Sequence, residues 1–283
     1  MIVVFIDAMN HASTMISTPP FMKYFLLLAA AVLLTNCQPS APAEPETIRQ
    51  EFYQLREYHF SSADQMATTE VYLEDAFVPA MNRLGYGPVG VFKPIEQESD
   101  STLSLYTLVA VDDLNVLSDL EENLTADEVY LTAGSAYLTA PFDKPPYQRM
   151  ETIITKAFRD MPNMATPSLT GPREERIYEL RSYESATEAI FQNKVHMFNE
   201  GGEITLFDTL GFNSVFYSEV ISGPSMPNLM YMTTHANAEA RDANWQSFVN
   251  SPAWKDMSTD EFYHDNVSHI DIYLLYPTAY SDY

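Results

Sequence analysis

Ile177-Tyr178-Glu179-Leu180-Arg181-Ser182-Tyr183 repeats, about 125 residues downstream, the pattern of Phe52-Tyr53-Gln54-Leu55-Arg56-Glu57-Tyr58. A second pair, Leu84-Gly85-Tyr86 and Leu210-Gly211-Phe212, recurs at nearly the same spacing. Two motifs sharing one offset identify a duplicated unit. Each heptapeptide alternates with period two, which predicts a strand. A helical stretch follows in each copy, over 66–84 and 186–210, and Leu-Gly closes it because glycine suits the position after a helix. Gly201-Gly202 predicts a break in the second of these helices. Residues 89–93 and 103–111, with 215–220 and 229–235, are rich in β-formers. Asp113 and Asn237 are predicted N-caps of the next helices, and 148–156 and 269–276 close each copy as strands.

The order strand, helix, strand, strand, helix, strand is that of the ferredoxin-like α+β sandwich, whose sheet carries helices on one face only. Its other face needs cover, and the second copy supplies it. The expected fold is therefore α+β: two tandem ferredoxin-like βαββαβ units forming a pseudodimeric α+β barrel within one chain. The organisation reads as a signal and lipoprotein region over 1–37, a Pro-rich tether over 38–48 and a first domain over 49–158. A linker over 159–174, with Pro162, Pro167 and Pro172, leads to a second domain over 175–283.

Met22-Lys23-Tyr24 opens an apolar run to Leu34, followed by Thr35-Asn36-Cys37 and then Gln38-Pro39-Ser40-Ala41-Pro42. About 11 apolar residues suit a signal-peptide core and are too few to span a bilayer. The stretch resembles a bacterial lipoprotein signal, which implies lipidation of Cys37, export, and anchorage on the periplasmic or cell-surface side of a bacterial membrane. Met22 fits a start position better than Met1. The other cysteine-based possibilities close, because Cys37 is the single cysteine of 283 residues: no intrachain disulfide and no cysteine-rich zinc module. With 15 Lys and Arg against 39 Asp and Glu, a net charge of −24 and a pI near 4.3 argue against nucleic-acid partners.

Tyr178-Glu179-Leu180-Arg181-Ser182-Tyr183, Glu203 to Leu210-Gly211-Phe212, Glu239-Ala240-Arg241 and Ser251-Pro252-Ala253-Trp254 together resemble a NIPSNAP domain. The likeness spans nearly all of 175–283 and, more faintly, 50–158. There Gly134-Ser135-Ala136-Tyr137 replaces the Pro-x-Trp element and the Glu-x-Arg pair is missing. The family is similar to the dimeric α+β barrel superfamily, in which two such units pack sheet to sheet around a cavity. The resemblance implies a fold and no agreed catalytic residues.

Strand alternation assigns Tyr53, Leu55, Tyr178 and Leu180 to the face beneath the helices. It assigns Gln54, Arg56, Tyr58, Glu179, Arg181 and Tyr183 to the face between the copies. Arg56, Tyr58, Glu179, Arg181 and Tyr183 are thus the expected ligand-binding residues, suited to an oxygenated or carboxylate-bearing small molecule because arginine offers a fork to paired oxygens. The plainer alternative is Arg–Glu pairing that docks the two copies. His235, at a strand end beside Tyr231 and Thr233, is the candidate general base at a cavity rim. His59 is expected at the surface and His196 on a helix face. His264 and His269, with Asp265 between them, are spaced five apart and so share no helical face, and no further ligand follows in zincin order, so no metal is expected, and no cofactor. Gly85-Tyr86-Gly87-Pro88-Val89-Gly90 spells a dinucleotide fingerprint in the wrong context, after a helix and before a strand.

Three functions follow: a membrane-anchored binding module, non-catalytic or holding a small ligand; a cofactor-independent monooxygenase-like enzyme; or a protein–protein scaffold. The first is preferred. Fold analogy alone supports the second, and one fold hosts many functions.

Overall fold

Strand β1 (Phe52–Phe60) lies at the centre of the first half, paired antiparallel with β3 (Leu103–Val111) on one side and β4 (Arg149–Ala157) on the other. β2 (Val89–Pro94) completes that half by pairing with β3. In the second half β5 (Ile177–Glu184) takes the same central place between β7 (Asn228–His235) and β8 (His269–Pro277), with β6 (Asn213–Ser222) beside β7. This computed structural model describes residues 49–95 and 103–283, all within one compact unit, Ile48–Tyr283. The signal, lipidation and tether assignments over 1–48 lie outside the described residues.

Two seams join the halves. β2 pairs with β8 through Phe92↔Pro277 to Pro94↔Leu275, and β4 pairs with β6 through Ile154↔Ser222 to Ala157↔Ser218. The sheet therefore closes in the order β1-β3-β2-β8-β5-β7-β6-β4, the eight-stranded barrel expected from the duplication. Closure gives every strand a neighbour on both sides over at least part of its length.

Local chemistry explains the helices. α1 (Ala63–Tyr72), a π-helical turn (Leu73–Phe77) and α2 (Val78–Arg83) form one continuous rod, started by the Ser62 hydroxyl accepting from the Gln65 amide. α3 (Leu114–Thr125) is capped by Asp113, and α4 (Glu128–Ala133) and α5 (Ser135–Leu138) follow. In the second half, α6 (Glu188–Phe198) stops before Gly201-Gly202, and α7 (Glu203–Thr209) restarts behind Gly202 at φ +86°. A Cβ on Gly201 would sit 2.5 Å from the Met197 carbonyl, so the break needs glycine there. α8 (Ala238–Asn250) is capped by Asn237, and α9 (Pro252–Ser258) by Ser251.

The two Leu-Gly ends are built alike. Tyr86 N–H donates to Met81 O and Gly85 N–H to Asn82 O; Phe212 N–H donates to Phe207 O and Gly211 N–H to Asp208 O. That is the Schellman arrangement, with the glycine left-handed at φ +82° or +79°.

Side chains sort into three cores. One lies between the first sheet and its helices and includes Tyr58, Tyr72, Phe77 and Tyr130; another lies between the second sheet and its helices and includes Tyr183, Phe198, Phe207 and Tyr231. The third fills the barrel: Tyr53, Leu55, Phe92, Tyr178, Leu180, Phe216, Met230 and Leu275, drawn from both halves. Rings meet across the seams between the halves, Tyr53 with Phe216 at 5.1 Å and Phe92 with Tyr178 at 4.9 Å.

This corrects the facing expected from alternation. Tyr53, Leu55, Tyr178 and Leu180 point into the barrel, while Arg56, Tyr58, Glu179, Arg181 and Tyr183 point toward the helices. Period two groups residues by face but does not say which face is which. Both faces of β5 and β7 are buried, so hydrophobicity could not decide it.

Gly85→Ala and Gly211→Ala should each lower stability by about 1 kcal/mol through backbone strain alone. A Cβ at either position would meet no heavy atom within 4 Å, so no clash adds to the strain. Urea denaturation midpoints measured at constant slope would register the loss.

Candidate functional site

The helix-facing residues of β5 make a closed ionic cluster. The Glu179 carboxylate, fully buried, accepts from Arg181 Nε at 2.7 Å, from Arg241 Nε at 2.7 Å and Nη2 at 3.1 Å, and from the Trp245 indole N–H at 2.9 Å. Arg181 stacks over Trp245, 3.7 Å from its ring centre, and donates to the Tyr183 hydroxyl, which shares a hydrogen bond with Tyr231. Burial alone would raise the Glu179 pKa. Hydrogen bonds from Arg241 and Trp245, with the charges of both arginines, outweigh it and hold the carboxyl below its usual range. Every part of the motif thus has a partner inside the same half, between β5 and α8. The cluster fastens a helix to a sheet and does not dock the copies on each other.

The first half lacks this cluster. Gln54 stands where Glu179 does, and among the described residues neither Gln54 Oε1 nor Arg56 Nε has a hydrogen-bond partner. The Arg56 guanidinium sits 5.8 Å from the Phe77 ring centre, and Tyr58 packs edge-on against Tyr147. The five expected ligand-binding residues are therefore not brought together: they divide between two helix–sheet interfaces on opposite halves.

His235 is buried and not at a rim. It lies 3.8 Å from Glu179, 3.3 Å from the Asn244 amide and edge-on to Phe212. Burial, opposed by the Glu179 charge and reinforced by Arg241 and Arg181, lowers its pKa to about 4. At neutral pH it is an uncharged, weakly basic imidazole sealed from solvent. His59 is only partly exposed, and His196 lies on the exposed face of α6 against Tyr263 and Phe262, as expected for a helix-face residue.

The polar residues that alternation does send inward lie at one mouth of the barrel. The inward series Tyr53, Leu55 continues to Glu57 and His59 in β1, and the series Ile153 in β4 runs back to Glu151 and Arg149. In β5 it continues to Ser182 and Glu184; in β8, from Leu275 and Tyr273 back to Asp271 and His269. Glu57 lies opposite Glu151 and Ser182 opposite Asp271; His59 lies opposite Arg149 and Glu184 opposite His269. The two halves thus present corresponding positions to one opening. Tyr106 donates to Glu57 at 2.6 Å, His59 sits 3.5 Å from Glu151, and His269 Nε2 is 3.0 Å from Asp271.

Electrostatically this mouth is one unit. Burial raises the Glu57 pKa, and the Glu151 charge adds to it against the Tyr106 hydrogen bond and His59. The Tyr273 hydroxyl is pushed up to about 12 by burial and then by Asp271, Glu57, Glu151 and Glu184, carboxylates from both halves. Among the described residues no lysine or arginine pairs with any of those four; only His59 and His269 do. Sequence reading missed this set because its members are scattered over four strands. The alternation of β1 carried the signal, once the inward face is known.

The opposite end of the barrel is filled by Tyr283, which packs on Phe92. A cleft of about 320 Å³ beside it is lined by Glu51, Tyr86, Asp112, Met164, Thr166 and Tyr283. The glycine-rich segment 85–90 joins α2 to β2 here, with no helix start to receive a phosphate.

Two ferredoxin-like sheets closed face to face with helices outside define the dimeric α+β barrel class, formed here by one chain. Within that class, residues 178–282 match the NIPSNAP family model. Similar solved structures include a presumed monooxygenase from Lactobacillus acidophilus NCFM, at 12% identity and TM-score 0.50, covering 81% of this chain and 94% of that one. Another is a presumed monooxygenase from Fusobacterium nucleatum, at 11% identity and TM-score 0.50, covering 82% of this chain and 94% of that one. At these identities the likeness concerns the fold alone. No curated protein matches the chain.

Glu179→Ala strands two partly buried guanidinium groups and should cost about 3–5 kcal/mol in denaturant unfolding. The His235 imidazole has a lower pKa folded than unfolded, so the unfolded chain binds more protons between about pH 6.5 and pH 4. Stability should therefore fall as pH drops through that window, and the difference between wild type and His235→Gln should follow it. The Glu179 contribution is present above the unfolded carboxylate pKa and is lost at lower pH, through its depressed folded value.

Proposed function

We propose that this chain is a membrane-tethered, non-catalytic binding module, exported and lipidated at Cys37, with the polar barrel mouth as its binding face. The observation that carries the reading is the packing of the barrel. Tyr53, Phe92, Tyr178 and Phe216 pack together inside the barrel across its two seams, and the family-motif charges are consumed by Glu179 pairing, so binding chemistry is concentrated at the rim. An acidic opening suits a cationic or hydrogen-bond-donating ligand. It does not suit the carboxylate-bearing molecule that an inward arginine fork would have taken.

The oxygenase alternative draws on the names of the fold neighbours. It needs a base reachable by substrate, and His235, the residue considered for that role, is sealed between β7 and α8. The tether reading rests on the apolar run ending at Leu34, the following Cys37 and the Pro-rich stretch after it. A diacylated cysteine carries two chains, enough for stable anchoring.

Expressed in a bacterium fed a labelled fatty acid, the full chain should carry label and sediment with membranes. Cys37→Ser should lose both the label and the membrane association. A Cys37→Ser chain that sediments unchanged would overturn the tether. Native mass spectrometry of the same chain should show retained small-molecule or ion mass, and a chain that never retains any would overturn the binding role.

A further inference from the structure

We propose that Glu184, His269 and Asp271 form a divalent transition-metal site at the barrel mouth. This rests on the reading of the mouth as the binding face and names what it binds. One carboxylate oxygen of Glu184, one of Asp271 and a ring nitrogen of His269 lie within 4.8 Å of one another. A cation held at about 2.0–2.2 Å from each donor needs them no more than about 4.3 Å apart. His269 Nε2 and Asp271 Oδ1, 3.0 Å apart, already meet that limit.

Three features distinguish this set from an ordinary acidic surface. First, the donors are mixed: two carboxylates and an imidazole favour zinc, manganese or iron(II) over magnesium or calcium, which take oxygen ligands. Second, the donors stand on two paired strands, Glu184 directly opposite His269 and Asp271 two residues along, so the ladder fixes their spacing before any metal arrives. Third, further carboxylates stand nearby. Glu57 and Glu151 face the same opening, opposite each other on β1 and β4. His269 Nε2 donates to Asp271 here; with the ring proton on Nδ1, the Nε2 lone pair faces the cation instead.

The site is half open. The side chains of His269 and Asp271 are 57% and 40% exposed, so a cation can enter from solvent and its remaining coordination positions stay free for water or a ligand donor. The corresponding positions in the first half are His59, Arg149 and Glu151, where an arginine replaces the histidine of β8. Among the described residues the duplicated chain therefore holds one such site, in the second half.

The test uses the full chain without a histidine tag, with cobalt(II) as the spectroscopic probe and zinc as the calorimetric one. Wild type should take up one cobalt ion per chain with visible d–d absorption, displaced by zinc and not by magnesium or calcium. Glu184→Gln and His269→Ala should each weaken zinc binding at least tenfold, and Asp119→Asn, a surface carboxylate elsewhere, should leave it unchanged. Matching urea midpoints without metal would show the variants folded. Zinc should raise the midpoint of wild type and not of the two variants. A chain that takes up no cobalt, or takes it up undiminished in both variants, overturns the site. Competition by calcium on equal terms overturns the transition-metal assignment. A mouth that rejects cobalt but retains an organic mass in native mass spectrometry overturns the cation and leaves the binding module standing. Rejection of both overturns the two together.

Discussion

Closure of the sheet is the constraint on which everything else depends. Once β2 meets β8 and β4 meets β6, each strand faces the barrel interior on one side and, over much of its length, helices on the other. β7 is buried at every one of its eight positions as a result. A polar side chain on such a strand has two tolerable destinations. It can lie under a helix that brings it a partner, or at a mouth where the interior opens to water. Glu179 takes the first course and Glu184 the second, five residues apart on one strand.

The duplicated halves have used that constraint differently. In the second half, Glu179 holds Arg181, Arg241 and Trp245, so α8 is locked to the sheet through charge as well as through Phe248 and the surrounding rings. In the first, Gln54 replaces the carboxylate, and the interface relies on a tyrosine assembly: Tyr72 stacks on Tyr137 at 3.8 Å and shares a hydrogen bond with Tyr130. The match to the NIPSNAP model over 178–282 follows the half that keeps the ionic cluster. The residues most characteristic of that half are thus spent on holding a helix in place, and a buried ion pair of this kind contributes geometry more than net stability.

The mouth is where both halves still act jointly. Four carboxylates converge there from β1, β4, β5 and β8, with two imidazoles and two phenols among them. The barrel brings them together by the same alternation that fills its axis with Tyr53, Phe92 and Tyr178. Polar residues at the strand ends and aromatic residues at the strand centres are consequences of one inward face.

Much of the fold was legible from local patterns. The repeat around Tyr53 and Tyr178, the Leu-Gly helix ends, the Asp113 and Asn237 caps and the break at Gly201-Gly202 are each set by chemistry within a few residues. Their positions in the chain agree with the strands and helices observed. The barrel followed from counting uncovered sheet faces. The site did not, because alternation partitions residues into two groups without naming the buried destination of either. Where both faces are covered, only the partner's identity decides. Arg241 and Trp245 arrive from a helix about 60 residues beyond Glu179 and draw it outward, leaving Glu57, Glu151, Glu184, His269 and Asp271 to meet around the opening. Periodicity and capping belong to the chain itself, whereas the sign of each face belongs to contacts between segments distant in sequence.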